Sequence, residues 1–114
     1  MKNFILAITL ISLLLSYNVQ AQTNSYTITG TVIDSHSNTP PFYIGIGLIN
    51  AKDSALVSST STDSLGHFKL SNVKPNDYIL KTSSSTYEMH QQPLSVSGEK
   101  REICIDTILL ILLN

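Results

Sequence analysis

The side chains in this chain whose chemistry reaches beyond packing are His36, His67 and His90, the aspartates Asp34, Asp53, Asp63, Asp77 and Asp106, many serines, and one cysteine, Cys104. The histidines share no paired spacing, and no cysteine or carboxylate joins any of them in a zinc-binding pattern. The aspartates form no dense D-x-D-x-D run of the calcium-loop kind and stand mainly at strand ends, where Asp caps turns; a calcium site built from separate loops stays open but unsupported. No serine lies in a G-x-S-x-G elbow, and none has an acid or histidine at a telling offset. Gly45-Ile46-Gly47 lacks the third glycine and the helix start that cradle a pyrophosphate. The chain therefore reads as a non-enzyme with no catalytic, cofactor or metal residue and no cofactor. Of the aromatics, Phe42 and Tyr43, beside Pro40 and Pro41, stand where they can offer a shallow platform to a sugar or peptide, with core or rim packing as the alternative.

The elements that hold these residues are short strands. Thr62 to Tyr78 brackets one between two turn signals. Asp63-Ser64-Leu65-Gly66 combines an acid that bonds its own backbone with a glycine free to take positive φ, and Pro75-Asn76-Asp77 turns the chain again. Between them Phe68 and Leu70 alternate with His67 and Lys69, the period of a half-buried strand running from His67 to Leu70, with Val73 tucked in after it. Upstream, a first strand spans Tyr26 to Asp34, with Tyr26, Ile28, Gly30 and Val32 on one face and threonines mostly on the other. A second spans Tyr43 to Asn50, where Gly45 and Gly47 imply a bulge or a close approach by another segment. A third, Leu56 to Thr62, is small and hydroxyl-rich. Downstream come Asp77 to Thr82, then Tyr87 to Val96 with Pro93 arguing for an edge or a break, then a seventh from near Arg101 carrying Ile103, Ile105, Ile108 and Leu110. Cys104, between Ile103 and Ile105, reads as a small packed side chain, although an odd thiol can also pair between chains.

Seven strands at roughly ten-residue spacing with turn chemistry between them predict an all-β fold, a seven-stranded antiparallel β-sandwich of the prealbumin-like or Ig-like kind, with a small barrel as runner-up. Met1 to Ala21 has a positive start, an apolar run and a small-residue ending, the pattern of a signal peptide. Cleavage before Gln22 is expected, with an uncleaved anchor as the alternative, leaving residues 22–114 as one sandwich domain with no transmembrane span. Seven Lys and Arg against eight Asp and Glu leave a net charge of −1 and no basic patch, which excludes nucleic acid and anionic membrane surfaces as evident partners.

From Tyr26 to about Leu110 the chain resembles the carboxypeptidase regulatory-like domain, a transthyretin-like (prealbumin-like) sandwich. The pieces that carry the resemblance are Gly30-Thr31-Val32-Ile33-Asp34, the stretch from Pro40 to Val57, and Thr62 to Tyr78. It is most similar to the version found in the periplasm at the N-terminus of TonB-dependent outer-membrane receptors of Bacteroidetes-like bacteria. That resemblance implies no peptidase residues, a location in the periplasm or at the outer membrane, and a protein partner in the cell envelope, such as an outer-membrane receptor or barrel. Gly30, Asp34, Asp63, Gly66, Phe68, Leu70 and Tyr78 then read as fold determinants. Asn76-Asp77 stand where the family usually has a glycine turn, and both tolerate a left-handed backbone. No plug or barrel follows Asn114, so a free-standing domain and the remnant of a truncated receptor gene are both open. The expected role is a non-catalytic exported interaction or accessory domain; the alternative is a carbohydrate-binding module with a glycan as ligand.

Overall fold

Tyr26, Ile28, Val32 and Asp34 all turn to one side of the first strand, β1 (Tyr26–Asp34), and all are buried. The structure, a computed structural model, describes residues 25–113; the expected signal peptide lies outside these residues. Seven further strands follow β1: β2 (Gly45–Asn50), β3 (Leu56–Ser61), β4 (His67–Val73), β5 (Asn76–Ser83), β6 (Gln91–Val96), β7 (Glu102–Cys104) and β8 (Ile108–Leu110). One sheet runs β4-β1-β7, with β8 pairing β1 farther along; the other runs β3-β2-β5-β6. Among the described residues there is no helix. The facing sides of the sheets enclose one core of Ile28 and Val32, Ile44, Ile46 and Leu48, Phe68 and Leu70, Tyr78 and Leu80, Ile108 and Leu110.

The fold is thus the all-β sandwich expected, with two corrections. The described residues form eight strands, because the stretch expected as a seventh divides into β7 and β8 around Ile105 to Thr107. Ile103 and Ile105 keep odd positions toward the core while the fully buried Ile108 and Leu110 are even, and a strand of period two cannot serve both without a break. Nor is the sandwich wholly antiparallel: β7 runs parallel to Thr27–Thr29 and β8 parallel to Val32–Asp34. Long crossovers through the other sheet separate these partners, so no hairpin forces them antiparallel.

Smaller departures have local causes. The sixth strand begins at Gln91 rather than Tyr87; Tyr87 instead bridges Leu112. Pro93 does lie on an edge strand, opposite Ile79, where a missing N–H costs no ladder bond. The fourth strand extends to Val73 through a bulge against β1, and Asn72 in that bulge takes the left-handed backbone (φ 57°), not Asn76 or Asp77. Gly45 and Gly47 admit the close approach expected of them, since a Cβ at either would lie 3.3 Å from Ser83 or Leu56 respectively.

The residues read as fold determinants occupy specific places. Gly30 and Phe68 are directly opposite in the β1–β4 ladder, and the ring fills the space a side chain at Gly30 would take, with a Cβ only 2.4 Å from Cζ. Gly66 has φ 80°, and a Cβ there would come within 2.3 Å of the Val32 carbonyl oxygen. Its own carbonyl accepts the Val32 N–H at 2.8 Å, tying the turn to β1. Leu70 is in the core, and Tyr78 sends its hydroxyl to the Lys74 carbonyl at 2.7 Å, a tyrosine corner closing the β4–β5 turn.

Candidate functional site

Because Ile28, Val32, Phe68 and Leu70 point inward, the residues between them point out, and strand pairing assembles them into rows. Thr31 stands opposite His67, and Thr29 lies between Lys69 on β4 and Cys104 on β7. Together with Thr60 and Ser61 of β3, Asp63 and Ile105, these residues line a groove of about 580 Å³. Its lining carries the hydroxyls of Thr29, Thr31, Thr60 and Ser61, one ammonium, one imidazole, one thiol and the carboxylate of Asp63.

Cys104 is a correction. It is exposed, not a packed core side chain, because Ile103 takes the inward position on the three-residue β7. Its sulfur lies 3.3 Å from Thr29 Oγ1.

Both well-placed carboxylates serve turns. Asp63 Oδ1 accepts the N–H of Leu65 and of His67, each at 2.9 Å. The His67 N–H is the main cause that holds the Asp63 carboxyl below its ordinary range; burial opposes it, and the Leu65 N–H adds to the lowering. Asp34 Oδ1 accepts from the N–H of His36 at 2.8 Å and of Ser37 at 3.2 Å, while Oδ2 accepts the Tyr87 hydroxyl at 2.7 Å. The Tyr87 hydroxyl is the main cause of a lowered Asp34 pKa, and the same bond raises that of Tyr87. Asp34 thus pins the β1–β2 loop to the bridge at Tyr87. Among the described residues, no three of His, Cys, Asp or Glu come together to hold a metal ion.

Phe42 and Tyr43 project from the loop before β2, 71% and 74% exposed, with ring centroids 6.1 Å apart and planes inclined at 38°. Tyr43 has φ 52°, a backbone that a bulky residue rarely adopts. Ile44 holds the loop in place, since its N–H donates to Thr62 Oγ1 and its carbonyl accepts the Thr62 N–H, both at 2.9 Å. The aromatic pair does not line the groove, so the structure presents two separate surfaces. The threonines of β1 were visible as one face of a strand. Their meeting with Lys69, Cys104 and β3 was not, because it depends on pairings between residues far apart in the chain.

The architecture defines a prealbumin-like β-sandwich, and comparison with known proteins agrees. Residues 23–112 match the family described as BOS complex subunit NOMO1-like, second beta sandwich domain. The chain belongs to that family. No curated protein sequence matches it. Among solved structures it is similar to the major pilin subunit of Bacillus cereus (18% identity, TM-score 0.60, 76% of this chain and 30% of the pilin). It is also similar to the 5-hydroxyisourate hydrolase of Klebsiella pneumoniae (12% identity, TM-score 0.56, 75% and 86%). A third is a candidate carbohydrate-binding protein of Pseudomonas aeruginosa (14% identity, TM-score 0.55, 83% and 93%). The chain spans less than a third of the pilin's length. Identities this low speak for the fold alone, and the fold serves an enzyme as well as a pilin.

Proposed function

We propose that this chain is a non-catalytic, exported accessory domain of the cell envelope that works by binding another macromolecule. The observation that carries the reading is how its two well-placed carboxylates are held. Asp34 accepts from the N–H groups of its own loop and from the Tyr87 hydroxyl, and Asp63 Oδ1 accepts from the N–H groups of its own turn. These bonds hold both carboxyls below their ordinary range, which makes them weak bases toward the groove. Export rests on the signal-peptide pattern of Met1 to Ala21. Membership of a family described as one sandwich of a complex subunit supports a role within a larger assembly, as does likeness to part of a pilin. The periplasmic setting at a TonB-dependent receptor, with residues 22–114 as the mature domain, belongs to the same reading. Fractionation of the native host tests it: the mature form is expected in the envelope fraction, and intact protein in the cytosol with residues 1–21 retained overturns it. Peptide hydrolysis by the pure domain would overturn the non-catalytic part, and DNA just downstream encoding a plug and barrel would identify a broken receptor gene.

A second reading, carbohydrate binding, is favoured by the exposed pair Phe42 and Tyr43, held on a constrained loop as a platform for the apolar face of a sugar. Glycan-array binding that is lost in Phe42→Ala and Tyr43→Ala is the expected result, and binding unchanged by both removes its basis.

A further inference from the structure

We infer that the free edge of β3 is the docking strand of this domain, and that it takes an extended segment of a partner polypeptide by β-strand addition, with an acidic side chain of that segment meeting Lys69. The inference rests on the interaction-domain reading above and gives it a place.

Four observations carry it. Among the described residues β3 is the outer strand of its sheet and pairs only with β2. Thr62 donates its N–H to the Ile44 carbonyl, and bonded and non-bonded pairs alternate along an antiparallel ladder. Ser61, opposite Gly45, and Ser59, opposite Gly47, therefore turn N–H and C=O away from β2. The far side of β2 agrees: Thr82 gives its N–H to His90, so Gly45 and Gly47 spend their own groups on β5. Next, from Leu56 to Thr62 there is no charge and no proline, the devices that usually blunt an edge. The other edges do carry such features: Pro93 on β6, Lys69 on β4, and only three residues each in β7 and β8. β3 has a bulge at Val57, but Ser58 to Ser61 stay in regular register. Finally, Thr60 and Ser61 form one rim of the groove that also holds His67, Phe68 and Lys69. Alternate side chains of a strand added to β3 face that groove.

The lining selects the occupant. A second copy of β3 would bring only hydroxyls and aliphatic groups (Leu56–Ser61) and nothing to pair with Lys69. A foreign segment with small or β-branched side chains and one carboxylate satisfies both the backbone edge and the ammonium.

The test is a titration of the isotope-labelled protein with a capped seven-residue peptide, Lys-Val-Thr-Glu-Thr-Val-Lys, followed by amide shifts and hydrogen exchange. The amides of Ser59 and Ser61 are expected to shift and to exchange more slowly. Replacing the peptide's Glu by Gln, or Lys69→Ala, should weaken binding roughly two- to fivefold, the range of an exposed ion pair. Ser59→Pro removes only an outward N–H and should abolish binding while the thermal midpoint stays near that of the parent. If that variant fails to fold, N-methylation of the peptide gives the same answer from the ligand side: methyls along the pairing edge should abolish binding and methyls along the other edge should not. Shifts confined to β6, to β7 or to Phe42 and Tyr43, or no shifts at all, overturn the assignment. So do concentration-dependent shifts on β3 without peptide, which would make the occupant a second copy. Binding of an envelope protein that survives Ser59→Pro would remove the β3 edge while leaving the accessory reading intact.

Discussion

The contact between Gly30 and Phe68 predicts a specific pattern of coupled mutations. In Gly30→Ala the new methyl would sit 2.4 Å from Cζ and 2.6 Å from Cε1 of Phe68, so the ring must move within a filled core. Overpacking of this kind costs about 1–3 kcal/mol, offset by about 0.4–1 kcal/mol from the stiffer unfolded chain. A net loss of about 1–2 kcal/mol follows, or a fall in thermal midpoint of about 4–16 °C for a domain this small. Phe68→Leu alone removes much of a buried ring, leaves a void above Gly30, and should cost about 1–3 kcal/mol. In the double variant the alanine methyl enters that void, so the two losses should not add. The expected coupling is about 1 kcal/mol or more in favour of the double variant, above the roughly 0.3–0.5 kcal/mol scatter of independent sites. Urea denaturation of the four proteins, compared at constant m-value, measures it. Additivity within that scatter would refute the argument that Gly30 is glycine to make room for the Phe68 ring.

Other predictions concern the turns and the buried hydroxyls. Gly66→Val should destabilise strongly, since a left-handed backbone alone costs about 1–2 kcal/mol for a side-chain-bearing residue and the new Cβ meets the Val32 carbonyl at 2.3 Å. The exposed neighbour variant His67→Ala should stay within about 0.5 kcal/mol of the parent, and equal thermal midpoints for the two would contradict the turn geometry. Thr62 is 1% exposed and its hydroxyl accepts the Ile44 N–H, so Thr62→Val should cost about 1–3 kcal/mol by orphaning a buried donor, whereas Thr62→Ser should restore most of it; chemical denaturation separates the two. Asp34 and Asp63 both have carboxyls lowered in the fold, so their contribution is fully present above the unfolded carboxylate value of about 4 and is lost as pH falls through the folded values below it. The thermal midpoint should therefore drop on acidification below about pH 4, and more shallowly in Asp63→Asn, whose amide oxygen can still accept the turn's N–H groups. An identical acid limb in parent and variant would show that Asp63 is not linked to folding.

Local chemistry was readable where the physics is local. The alternation of Phe68 and Leu70, the Asx turn at Asp63 and the glycine at Gly66 name a turn and a strand without help from the rest of the chain. So does β1, whose buried residues recur at every second position. What stayed hidden depends on distant partners. Ile103, Cys104 and Ile105 read equally well with Cys104 in the core, and only the pairing of β7 with Thr27–Thr29 decides that it faces out. The parallel sense of β7 and β8, and the groove that joins Thr29, Lys69 and Thr60, have the same origin. Asn72 was missed in favour of Asn76 and Asp77 because the left-handed residue answers a bulge against β1, not the turn that follows.

The parallel closure of β1 also bears on when the domain can form during biosynthesis. Thr29 and Cys104 are neighbours across the sheet but 75 residues apart in the chain, so the earliest strand to be made waits for the last two. Sheet β3-β2-β5-β6 can assemble through antiparallel contacts of shorter range, but one edge of β1 stays bare until β7 and β8 have been synthesised. Such long-range contacts slow folding, because loop-closure entropy is lost before the contacts form. A nascent chain stopped before Glu102 exposes that edge to aggregation or to capture by other chains. The final strands act as a latch, and the moment they close sets the boundary between an open, capturable sheet and a folded domain.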